Sequence, residues 1–75
     1  MNISAFENLD GRKLSVMLKR NKPNGEPETY IGMLECCKDD YIILDYNNIS
    51  YKPKNNPIDK IIVSVDEIKS MWVYK

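Results

Sequence analysis

Four carboxylates stand where chemistry could be done. Asp39 and Asp40 fall in one predicted turn, Asp66 and Glu67 in another. Paired carboxylates at close quarters carry out acid–base catalysis or bind a cation. The same residues are also ordinary turn formers and caps. The chain has no histidine, so no imidazole can act as base or metal ligand, and no serine has a base beside it to activate it. The turn reading therefore prevails. The chain is expected to be no enzyme, with no catalytic residue, no metal and no cofactor.

Two further groups of residues carry reactivity or charge. Cys36 and Cys37 are adjacent and are the only cysteines. In a strand they point to opposite faces and cannot readily pair with each other. Free thiols are expected, and with them a reducing cytoplasm. Lys19, Arg20 and Lys22 cluster at one loop, and Lys52 and Lys54 at another beside Tyr51. Basic residues next to an aromatic can hold single-stranded nucleic acid by phosphate contact and stacking. Lysine-rich loops are also commonly plain solvated surface. Eleven basic residues balance eleven acidic ones, which is not the footprint of a general nucleic-acid binder.

The elements that must position these residues read as strands. YIGMLECCKDDYIILDY, residues 30–46, forms a hairpin turning at Lys38-Asp39-Asp40, with β-branched and aromatic residues on both sides. Gly32 interrupts its first strand, which suits a sharp bend or the close approach of another strand. Leu14, Val16 and Leu18 alternate with polar residues over 13–19, giving a first strand with one buried and one mostly wet face. Strand two covers about 29–37, strand three 41–46, strand four 59–64 and strand five 70–74. Residues 20–29 and 47–57, rich in Asn, Pro and Gly, read as protruding loops, and residues 65–68 as a single 3-10 turn. Residues 3–9 read as a short helix, capped by Ser4 with Glu7 three residues on. A frayed terminus is the other reading, because seven residues do not hold a helix alone.

Seventy-five residues make one domain (1–75) with a small core, and cores of this size are commonly supplemented. With metal and disulfides set aside, oligomerisation remains. Ile61, Ile62 and Val63 run consecutively, as do Met71, Trp72 and Val73, so strands four and five are apolar on both faces. Such edges are sticky unless paired. Either they form an interface between subunits, which is the reading adopted, or the N-terminal helix and long loops cover them. No apolar run reaches the length of a membrane span, and no secretory leader is legible.

This pattern resembles the Sm-like superfamily of archaeal and eukaryotic Sm proteins and bacterial Hfq. LDGRKLSVMLK is similar to the first Sm strand. YIGMLECCKDDYIILDY places Gly32 at the bent-strand glycine of the first Sm motif, with Leu34 at the core position that follows. IIVSVDEIKSMWVY is similar to the second motif: a strand, a 3-10 turn and a final strand. The resemblance implies an all-β, five-stranded, strongly bent barrel of the SH3-like and Sm-like kind with a short N-terminal α-helix. It also implies a homo-oligomeric ring, pentamer to heptamer, built by strand four against a neighbour's strand five, that binds single-stranded RNA. The family's pore-side pocket falls on Lys38 to Tyr41 and Val65 to Glu67. There the chain departs from the pattern. The Sm motif's Asp and Met-Asn fall on Lys38 and Tyr41-Ile42, its Arg-Gly is missing, and the Lys-His of Hfq falls on Val65-Asp66. Tyr41 alone keeps a stacking aromatic. The expected function is a non-catalytic RNA-binding or RNA-chaperone module using Lys38, Tyr41, Tyr51, Lys52, Lys54, Lys19 and Arg20. The alternative is an assembly module of phage or mobile-element origin that keeps the ring without the RNA pocket.

Overall fold

The computed structural model describes residues 1–46 and 57–75. Five strands form one antiparallel sheet: β1 (Lys13–Asn21), β2 (Pro27–Lys38), β3 (Tyr41–Asp45), β4 (Lys60–Ser64) and β5 (Ile68–Val73). Their spatial order is β4-β3-β2-β1-β5, so β4 and β5 are the two edges. Strand existence and order along the chain match the sequence reading. The bounds move by one to two residues at most ends.

The apolar alternation explains the core. Leu14, Val16 and Leu18 of β1, Leu34 of β2, and Ile42 and Leu44 of β3 are all at most 2% exposed. Val63 of β4 and Ile68 of β5 join the same cluster. The two edge strands thus contribute to one core, and the sheet curls around it. Burying each such side chain contributes about 1.5–3 kcal/mol, which holds even the five-residue strands in place. The second face of β1 is less wet than its sequence suggests. Ser15 is buried because it lies between Ile31 of β2 and Trp72 of β5 in the ladder.

β2 serves two partners. It pairs with β1 through Met33 and with β3 from Met33 onward. Gly32 sits at this handover, and a Cβ there would lie 3.1 Å from both the Asp45 carbonyl oxygen and Leu44 Cβ. The close approach that the glycine foretold is present. A bulge between Leu34 and Cys36 adds one residue to β2. Beyond it, Lys38 faces Tyr41 across a two-residue turn in which Asp39 takes φ 55°, a conformation that aspartate tolerates.

The expected helix over residues 3–9 is instead a 3-10 turn at Ile3–Phe6. Its cap is the Asn2 side chain, which accepts from the Ser4 N–H at 3.0 Å, rather than Ser4 itself. The backbone turns extended at Glu7, with Asn8 at φ 66° beyond it, and the segment is too short to propagate without tertiary contacts. Fully buried Phe6 anchors it. The second turn, Val65–Glu67, matches its expectation, pinned by buried Val65 and Ile68.

Candidate functional site

The two acidic turns meet at one end of the sheet. The Val65 N–H donates to the Asp40 carbonyl at 2.8 Å, which brings Asp39-Asp40 beside Asp66-Glu67. All four side chains are exposed. Among the described residues, no group of three or more His, Cys, Asp or Glu stands close enough to hold a metal. No described helix is long and apolar enough to cross a membrane. Lys38 is exposed and Tyr41 half-buried at the same end.

Both thiols are free and half-buried. Cys37 lies opposite Ile42 and Cys36 opposite Ile43, so they take opposite faces of β2 as expected. Cys37 packs against the core, with its Sγ 4.0 Å from the Phe6 carbonyl.

The basic residues divide. Lys19, Arg20 and Lys22 are exposed at the β1–β2 end. Tyr51, Lys52 and Lys54 lie outside the described residues. Arg20 is ion-paired to Glu28, and the Tyr30 hydroxyl donates to the other oxygen of that carboxylate at 2.6 Å. The Tyr30 hydroxyl, then the Arg20 guanidinium, hold the Glu28 carboxyl below its ordinary range. Glu28 in turn raises Arg20 and Tyr30. Arg20 was expected as a phosphate contact, yet its charge is already matched by a neighbour. Glu28 and Tyr30 share a strand face by their spacing of two. Their meeting with Arg20 depends on the irregular register between Met17 and Asn21, which sequence spacing alone did not reveal. A second pair, Lys60 to Glu35, spans from β4 to the bulge of β2, and Glu35 raises the Lys60 pKa.

A cleft of about 190 Å³ opens between β4 with the turn that follows it and the β1–β2 end. Leu18, Ile61, Ile62 and Val63 are its apolar lining; Arg20, Tyr30, Ser64 and Glu67 are its polar rim. Nothing in the sequence reading pointed to it, because it joins β1 and β4, strands that are not neighbours in the sheet.

The residues expected at a subunit interface fall into two sets. Val63 is 6% exposed and belongs to the core, while Ile61 and Met71 are half-buried against it. Ile62 is 67% exposed, Trp72 48% and Val73 39%. Ile62 and Trp72 stand on opposite edge strands, so the exposed apolar surface sits where the ladder ends. Comparison with family models, curated proteins and solved structures gave no match.

Proposed function

We propose that this chain is a non-catalytic, Sm-like module that assembles with copies of itself. The β4 edge of one barrel joins the β5 edge of the next, and the resulting ring binds single-stranded RNA through its loops. One observation carries the assembly: the sheet ends in two edge strands, each presenting a large exposed apolar side chain, Ile62 on one and Trp72 on the other. An exposed apolar edge on a monomer is an aggregation hazard. Pairing the two edges removes it, and a head-to-tail contact of this kind forms a ring where its rotation closes. The RNA reading rests on exposed Lys19 and Lys22 and on Lys52 and Lys54, which lie outside the described residues, each repeated once per subunit.

A second reading, an assembly module without RNA, is favoured by a separate observation. The acidic turns are gathered at one end, and Arg20 is matched by Glu28. A ring would collect these carboxylates around an opening and repel phosphates there. Sedimentation equilibrium at micromolar concentration tests the assembly, and a monomer overturns both readings. Electrophoretic mobility shifts with short U-rich and A-rich RNAs at two salt concentrations separate them. RNA binding that weakens with salt supports the first, and no binding at low salt leaves the second.

A further inference from the structure

We propose that the cleft beside β4 is the socket for Trp72 of the neighbouring copy. The inference rests on the edge-to-edge assembly above and goes further, because it fixes which face of β4 the neighbour's tryptophan meets.

Backbone directions set which residues can face a neighbour. The Tyr46 N–H donates to the Asp59 carbonyl, and the Val65 N–H donates to Asp40. Asp59 and Val65 therefore direct their backbone groups at β3. Directions alternate along a strand, so Ile61 and Val63 also face β3, and Lys60, Ile62 and Ser64 face the open edge. On β5 the Tyr74 N–H donates to the Lys13 carbonyl. Ser15 opposite Trp72 and Met17 opposite Ser70 follow in unbroken register. Ser70 and Trp72 thus face β1, and Met71 and Val73 face the open edge.

Every pair in this sheet is antiparallel, and the two edges are taken to join in the same sense. Residues directly opposite in an antiparallel ladder either both exchange hydrogen bonds or both point away, and their side chains share a face. By direction and by matching apolar to apolar, Ile62 then lies opposite Met71 or Val73 of the neighbour. Trp72 of the neighbour falls opposite Ile61 or Val63, whichever of these registers forms. Both residues line the cleft, as does Ile62 between them, so either register brings the indole to it, and the hydrogen-bond directions alone separate Ile62 from the other two. Had the apolar pattern alone set the pairing, Ile62 and Trp72 would be placed together. The hydrogen-bond directions exclude that.

Size and chemistry agree with this occupant. The cleft, at about 190 Å³, is smaller than the roughly 300–1,000 Å³ of small-molecule sites. A Trp seated in a pocket is a recurrent anchor of protein interfaces. Leu18, Ile61 and Val63 offer an apolar bed, and Ser64 and Glu67 at the rim offer oxygen acceptors for the indole N–H, a group that usually finds a partner when buried.

Trp72 is the chain's only tryptophan, so its emission reports this contact without labelling. On the full chain, acrylamide quenching is measured across a dilution series beside sedimentation. Disulfide trapping is then run with Cys36 and Cys37 replaced by Ser. Trp72→Cys is combined in turn with Ile61→Cys, Ile62→Cys and Val63→Cys. The expected results are an emission shielded several-fold in the assembled species, and covalent multimers for Ile61→Cys or Val63→Cys but not for Ile62→Cys. Assembly in which the indole stays fully quenchable, or in which only Ile62→Cys cross-links, overturns the socket and leaves the edge pairing standing. A monomer at every concentration overturns both.

Discussion

Gly32 is the residue on which the curl of the sheet depends. A Cβ there would press at 3.1 Å on the backbone of Asp45 and on Leu44 Cβ, and neither can swing aside as a flexible side-chain tip would. Gly32→Val is expected to lower the melting temperature by roughly 8–15 °C, the shift that about 2 kcal/mol gives a domain of this size. A change of a degree or two, measured by circular dichroism, contradicts the close packing at the β2 handover. The glycine was legible in the sequence because no other residue type is favoured at so crowded a point. The Arg20–Glu28–Tyr30 network was not legible, since it forms only across an irregular register. Glu28 offers its own test. Its folded-state pKa lies below the ordinary carboxylate value, so its contribution is fully present above that value and is lost as pH falls through the depressed folded one. The melting temperature of the parent minus that of Glu28→Gln should stay constant from neutral pH down to the ordinary carboxylate range and shrink below it. The difference is small, since Arg20 is solvent-exposed and the ion pair is screened at the surface. A difference that grows on acidification contradicts the network.

β1 was readable because it carries a period-two apolar pattern that matches its burial at Leu14, Val16 and Leu18. The N-terminal segment misled for a definite reason. Ile3, Phe6 and Leu9 have helical spacing, but only Phe6 becomes a core residue, and a single 3-10 turn with Asn8 beyond it suffices to bury it. The edge strands were half legible. Consecutive apolar residues marked β4 and β5 as apolar on both faces, but gave no way to divide Val63, a core residue, from exposed Ile62. That division makes a sharper test. Ile62 is already 67% exposed, so Ile62→Lys should leave the folded monomer intact. In the joined edge it would place a charge against apolar neighbours. The variant is expected to keep its far-ultraviolet circular dichroism and melting transition while sedimenting as a smaller species than the parent. An unchanged oligomer carrying the lysine removes β4 from the interface.

At the scale of the whole molecule, the balance of charge decides where a phosphate backbone can lie. Net charge is zero, so attraction must come from the arrangement of charges. The end holding Asp39, Asp40, Asp66 and Glu67 offers a phosphate no gain. At the β1–β2 end, Arg20 is matched by Glu28, and Lys19 and Lys22 remain exposed. Lys52 and Lys54 add two more positive charges per chain. In an assembled ring each of these is repeated, so weak single contacts multiply through effective concentration. For single strands, the logarithm of affinity falls with the logarithm of salt with a slope of about −0.7 per phosphate neutralised. Replacing Lys52 and Lys54 together by Ala should therefore weaken binding alike for U-rich and A-rich RNA and flatten the salt dependence. Replacing Lys19 and Lys22 by Ala should act in the same direction, and so should Arg20→Ala, which leaves its partner Glu28 behind as an unmatched negative charge. Asp39→Asn with Asp66→Asn should leave affinity unchanged or raise it, by removing repulsion near the opening. Filter binding across a salt series reads all four variants. If both lysine pairs are silent and the aspartate changes abolish binding, RNA sits at the acidic turns after all, and a cation must bridge the carboxylates to the phosphates.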